Sequence, residues 1–169
     1  MNESKSPVIG YTSGVYDLFH IGHLNLLKRA KAQCDRLVVG VSTDELVEEY
    51  KHRRPIIPYE ERAEIIRSLK YVDEVVPQTS MDKFAAWEKI RFNRMFHGDD
   101  WKGSDMYNEQ ERRLSSVGVE VVYFPYTKHT SSTLLNEALR KLRESTCAVR
   151  DRRRIVSCYR KRRRVTAFA

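Results

Sequence analysis

Short apolar runs alternate along this chain with segments patterned as amphipathic helices, and that alternation limits the fold more than any other feature. Val8-Ile9-Gly10-Tyr11, Arg36–Ser42, Val72–Val76, Arg94–His97 and Val119–Phe124 read as strands of the buried kind. After the first run, Leu24, Leu26, Leu27 and Ala30 share one helical face, and Thr43-Asp44-Glu45-Leu46 has the cap and acids of a helix start. Tyr59-Glu60-Glu61-Arg62 opens a further helix with Ala63, Ile65, Ile66 and Leu69 apolar. Weaker patterns predict helices over 81–91 and around Met106 to Leu114. Pro77 and Pro125 are expected to stop their strands, and two prolines close a basic loop over 50–58 that carries Lys51. Ser131, Ser132 and Thr133 offer caps for a last helix, Leu134 to about Leu142. Strands joined through helices need crossovers, so the expected class is α/β, a doubly wound parallel sheet of five strands in a single domain over 1–143. Ligands in such sheets lie at the carboxyl ends of the strands, where the order reverses. The stretches 14–23, 97–102 and 125–133 each follow a predicted strand and should meet there.

The net charge of +8 belongs to one end of the chain. Residues 144–169 hold nine Lys and Arg against two acids, leaving the preceding 143 residues at +1. This basic C-terminal tail is expected to be a disordered accessory; contact with nucleic acid or an anionic surface through it is an alternative and not the favoured reading. Three cysteines, Cys34, Cys147 and Cys158, have neither the number nor the spacing of a disulfide framework or a zinc site. No apolar run approaches the roughly 20 residues of a membrane span, and the first seven residues are polar, so the expected location is the cytoplasm.

The chemistry is concentrated in Gly14-Val15-Tyr16-Asp17-Leu18-Phe19-His20-Ile21-Gly22-His23, between the first strand and the first helix. Two imidazoles three residues apart project near a helix N-terminus, whose free N–H groups and positive dipole suit phosphate. Gly22, without a side chain, would let a nucleotide lie on the first turn. Opening a triphosphate at its α-phosphorus needs no covalent nucleophile when the attacker is itself an anionic phosphate. It needs alignment and charge stabilisation, which imidazoles, a lysine, an arginine and helix N–H groups supply.

The stretch 14–23 resembles the signature of the His-x-Gly-His nucleotidyltransferase superfamily, whose fold is Rossmann-like, and within it the cytidylyltransferases. Ser42-Thr43-Asp44-Glu45-Leu46, Lys51, Glu61-Arg62, Tyr71–Val76 and Ser131-Ser132-Thr133 follow in that family's order. His97-Gly98-Asp99-Asp100-Trp101 resembles its glycerol-3-phosphate branch, and the similarity covers about residues 8–142. The resemblance implies transfer of CMP from CTP to a small phosphomonoester, with Mg²⁺ entering on the triphosphate, in a homodimer. It gives His20, His23, Lys51 and Arg62 catalytic roles, with Asp17, Lys51 and Arg62 toward the acceptor. Gly14, Val15, Tyr16, Gly22, Asp100, Trp101, Thr127, Ser131, Ser132 and Thr133 would bind the nucleotide, and no protein cage for a metal is expected.

One position departs from the pattern. Where cytidylyltransferases read Pro-Arg-Thr-Glu-Gly-Ile-Ser, this chain has Pro125-Tyr126-Thr127-Lys128-His129-Thr130-Ser131, so Tyr126 stands in place of a triphosphate-binding arginine. That leaves open an adenylyltransferase of the same superfamily acting on a sugar phosphate. His20-Ile21-Gly22-His23 also matches the letters of class I aminoacyl-tRNA synthetases, but those are far longer and carry a lysine-rich second loop absent here. A non-enzymatic nucleic-acid-binding module through the tail is the other rival, and it predicts binding that survives loss of both histidines.

Overall fold

The computed structural model describes residues 6–99, 103, 105–125, 127 and 131–142. Asp100, Trp101, Tyr126 and the basic tail lie outside the described residues. The elements run β1 (Ile9–Gly14), α1 (Ile21–Lys31), β2 (Arg36–Ser42), α2 (Asp44–Lys51), α3 (Tyr59–Arg67), β3 (Glu74–Gln78), α4 (Lys83–Ile90), β4 (Arg94–Gly98), α5 (Asp105–Ser115) and β5 (Glu120–Phe124). A sixth helix, α6, covers 132–142. The chain divides after Thr130 into two compact units. The first holds all five strands, and in the second Ser131 caps α6, its Oγ accepting from the Leu134 amide at 3.2 Å.

All strand pairs are parallel, in the order β3-β2-β1-β4-β5. This is a five-stranded doubly wound sheet, and its order reverses between β1 and β4. Side chains alternate along β2, so Leu37, Val39 and Val41 pack with Leu27, Ala30 and Ile66 of α1 and α3, while Val38 faces the other way. On that second face Tyr11, Val38 and Met95 meet Leu114 of α5 and Phe84, Trp87 and Ile90 of α4. Both faces are covered, which is why the strands read as continuous apolar runs.

Two local expectations are corrected. Pro77 does not end the third strand but lies inside it, in register with Val41. β3 is an outer strand, and the carbonyl of the next residue, Gln78, accepts from the Thr43 amide on the β2 side. Pro77 therefore turns its missing N–H outward, where no ladder bond is lost. Lys51 is likewise not in a loop. Thr43 Oγ1 caps α2 by accepting from Leu46 N at 3.3 Å, and the helix continues through Lys51 until His52, at φ 54°, stops it in the left-handed region.

Candidate active site

The loop from β1 to α1 is bound on several sides. Tyr16 and Leu18 both have positive φ, 56° and 49°, which non-glycine residues adopt only when their surroundings hold them there. Tyr16 is held by its ring, buried among Leu27, Val39, Val41 and Phe96, and burial raises its hydroxyl pKa far above the ordinary value. Asp17 is buried, and its carboxylate accepts from the amides of Ile56 and Ile57, both at 3.0 Å. Arg62 completes the structure from α3. Its Nε donates to Ile57 O at 2.8 Å, one terminal nitrogen donates to the carbonyls of Val15 and Ser42, and the other pairs with Asp44.

These contacts revise four assignments. Arg62 has no exposed surface and spends its donors on carbonyls and a carboxylate, so it clamps the β1–α1 loop rather than meeting a phosphate. The Tyr16 side chain belongs to the core, not to a ligand, and the Val15 carbonyl is taken by Arg62. Asp17 anchors the 52–58 segment by two backbone amides.

His20 is the N-cap of α1, its Nδ1 accepting from Gly22 N at 3.1 Å. That bond fixes the tautomer, leaving the proton of the neutral ring on Nε2. The His23 ring stacks on it, centroids 4.0 Å apart and planes 27° from parallel, and lies edge-on to Tyr16 at 5.3 Å. Nδ1 of His23 is buried without a hydrogen-bond partner among the described residues. Burial, then His20, then the charge of Lys51 push its pKa down to about 3, so this imidazole is neutral at physiological pH. The Lys51 ammonium is itself held below the usual lysine range, by desolvation and then Arg53, against the opposing pull of Asp17.

Gly22 is close-set against the N-cap. A Cβ there would stand 2.8 Å from His20 Cε1 and 3.0 Å from Nδ1, so any side chain at this position would displace the His20 ring. The same Cβ would touch Thr127, whose hydroxyl receives the Asn25 side-chain amide at 3.4 Å. Asn25, one turn along α1, was invisible as a site residue in the sequence because a polar residue on a helix face carries no motif. Gly14 is also close-set, with the Tyr16 ring 3.2 Å from where its Cβ would be. The structure thus gathers Gly14, His20, Gly22, His23, Lys51 and Thr127 around the start of α1. Asp100 and Trp101 lie outside the described residues, and Ser131, Ser132 and Thr133 begin the second unit. Among the described residues no three His, Cys, Asp or Glu side chains cluster as a metal cage.

A capped helix N-terminus with two stacked neutral imidazoles and a lysine close by can hold phosphoryl oxygens and add charge as they need it. The chain is similar to known proteins in sequence and in structure. The cytidylyltransferase-like family model matches residues 11–152. A glycerol-3-phosphate cytidylyltransferase of Bacillus subtilis is 37% identical over 136 residues, 76% of this chain and 94% of the relative. An FAD synthase of Thermococcus sibiricus is 34% identical over 144 residues, 85% of this chain and 97% of the relative. A lipopolysaccharide core biosynthesis protein from Thermoplasma volcanium superposes with a TM-score of 0.61 at 25% identity, covering 74% of this chain and all of its own. The chain belongs to the cytidylyltransferase-like family and is an enzyme of the nucleotidyltransferase type.

Proposed function

We propose that this enzyme transfers CMP from CTP to a small phosphomonoester, with glycerol 3-phosphate as the first candidate. An oxygen of the acceptor phosphate bonds to the α-phosphorus, the bond to the β-phosphate oxygen breaks, and pyrophosphate leaves in line. The observation that carries this reading is the stacked His20–His23 pair at the capped start of α1, next to the charge of Lys51. Each neutral ring keeps one N–H to give to a phosphoryl oxygen. An arriving triphosphate favours the protonated ring, so positive charge grows where negative charge accumulates in the transition state. Such charge-assisted bonds are worth roughly 1.5–3 kcal/mol each.

Lys51 would bridge nucleotide and acceptor. Thr127 would sit by the phosphates, Asp100 and Trp101 would form the nucleoside pocket, and Ser131, Ser132 and Thr133 would take the β- and γ-phosphates. Imidazole, ammonium and N–H donors suit phosphate better than metal, so Mg²⁺ would arrive on the triphosphate and neutralise part of its charge. We expect a homodimer working in the cytoplasm. No helix among the described residues is long and apolar enough to cross a membrane.

The FAD synthase relatives favour a second reading, in which ATP gives AMP to a flavin phosphate. Pyrophosphate release across the four nucleoside triphosphates, each against glycerol 3-phosphate, sugar phosphates and FMN, separates the two. Turnover with CTP and glycerol 3-phosphate is the expected result, and turnover confined to ATP would overturn it. Release that persists after deletion of 144–169 would dispose of the reading as a non-enzymatic nucleic-acid-binding module.

A further inference from the structure

Gln78 is the last residue of β3 and only 6% exposed, a degree of burial that strands ordinarily give to apolar side chains. Its carboxamide is used at both atoms. Oε1 accepts from Ser42 Oγ at 3.2 Å, while Nε2 donates to the carbonyl of Ser80 at 3.0 Å and lies 3.8 Å from Met81 Sδ. Ser42 is the last residue of β2, itself buried and in register with Gln78. The bond between them is a side-chain rung across the carboxyl ends of two neighbouring strands.

Each end of that rung leads to a different helix. The Tyr50 hydroxyl of α2 lies against the Ser42 side chain; burial raises its pKa, with Ser42 and then Arg62 opposing. The Lys51 ammonium stands 5.5 Å from the centre of the Tyr50 ring. On the other side, Ser80 Oγ accepts from the amide of Asp82 at 3.1 Å, and Asp82 caps α4 by accepting from Phe84 N at 2.9 Å. One set of contacts therefore runs from Lys51 through Tyr50, Ser42, Gln78 and Ser80 to the start of α4.

A buried primary amide costs more than an apolar group of the same volume unless its hydrogen bonds are made. The sheet itself does not need this one. β2 and β3 already pair in register, and the Gln78 backbone carbonyl accepts from Thr43 N at 3.1 Å. What the carboxamide adds is a fixed spacing between α2 and the turn over 79–82, both at the carboxyl end of the sheet, where ligands lie.

We propose that Gln78 is a positioning residue for the transfer reaction. Through Ser42 and Ser80 it holds the β3–α4 turn against the helix that carries Lys51, and so sets the geometry in which the acceptor phosphate is received. The proposal rests on the nucleotidyl-transfer reading of the site around His20 and His23, with Lys51 as the bridge between nucleotide and acceptor.

The test compares the full-length protein with Gln78→Met, Gln78→Glu, Ser42→Ala and the double variant Ser42→Ala/Gln78→Met. Pyrophosphate release is followed with CTP and glycerol 3-phosphate and with ATP and FMN, and nucleotide Kd is read by calorimetry. Gln78→Met should lower kcat/KM for the acceptor at least tenfold with nucleotide Kd within twofold of the parent, and Ser42→Ala should act in the same sense. The double variant should match Gln78→Met, because both changes break one rung. Gln78→Glu at pH 8 keeps an acceptor for Ser42 but has no proton for the Ser80 carbonyl, so it should follow Gln78→Met and carries the comparison should that variant fold poorly. Amide hydrogen exchange over 44–51 and over 79–83 should quicken together in Gln78→Met and in Ser42→Ala. A smaller loss of kcat/KM, an equal loss of nucleotide binding, losses that multiply in the double variant, or quickening of one segment alone would each overturn the proposal. Joint quickening in a protein that turns over neither substrate pair would refute the transfer reading and leave the tie between the two segments standing.

Discussion

Arg62 of α3 donates to the carbonyl of Val15, so a helix far along the chain holds the loop that presents both histidines. The same guanidinium reaches Ser42, Asp44 and Ile57, and it has no exposed surface. Arg62→Leu should therefore destabilise the protein by about 3–5 kcal/mol, because it leaves Asp44 and three carbonyls without their donor. Arg62→Lys should recover only part of that loss, since an ammonium cannot span the fork. Urea unfolding of both variants checks this. A variant with parental stability and a raised substrate KM would instead make Arg62 a phosphate ligand.

The two histidines should separate under substitution. His20→Asn keeps a side-chain acceptor for Gly22 N and so should fold with nearly parental stability, whereas His20→Ala should lose about 1 kcal/mol with the cap. Both should lose kcat. His23→Ala should lower kcat by two orders of magnitude or more and change nucleotide affinity far less, as expected of a group used mainly in the transition state. Single-turnover rates together with nucleotide Kd values decide the matter, and equal losses in both would make His23 a binding residue only.

Gly22→Ala sets helix propensity against geometry. Alanine is favoured over glycine in a helix by about 1 kcal/mol, yet its Cβ would fall 2.8 Å from His20 Cε1. The ring must move, and with it the cap and the stack on His23. We expect a fall in kcat of at least tenfold with stability changed by less than about 1 kcal/mol, read from steady-state kinetics beside thermal melts.

Stability should fall on mild acidification. His23 and His97 are both held neutral, with pKa values near 3 in the folded chain against about 6.5 when unfolded. The unfolded chain takes up protons first, so their stabilising contribution is complete above pH 6.5 and is lost as pH falls toward 3. Each group adds a slope of about 1.4 kcal/mol per pH unit inside that window. Urea midpoints from pH 7 to 4 should show this decline, and His97→Leu should make it shallower. An unchanged slope in that variant would mean that His97 titrates normally.

The sheet was legible because covered strands must be apolar throughout and helices must show one apolar face. Both patterns survive in a single sequence. The paired histidines were legible because their chemistry demands fixed spacing. What stayed hidden depends on who meets whom. Lys51 reads as a loop lysine because the two prolines that follow it outweigh a helix whose end is set by the left-handed His52. Arg62 at a helix start looks like a phosphate ligand, and only the carbonyls of Val15, Ser42 and Ile57 show that its donors are used. His97 reads as an unremarkable strand residue. Its Nε2, buried without a partner among the described residues, and its nearness to Lys83 arise from the packing of α4 and α5 on the sheet, which no local pattern encodes.

Pro77 has a bearing on the protein's behaviour in a crowded solution. β3 exposes the open margin of the sheet, where a stray strand from another molecule would seek a ladder of amides and carbonyls. With Gln78 turned inward to Thr43, the outward position is the one that has no hydrogen to give, and a pyrrolidine ring stands where the incoming carbonyl would dock. The proline thus blunts that margin against runaway strand addition and aggregation without disturbing the pairing with β2.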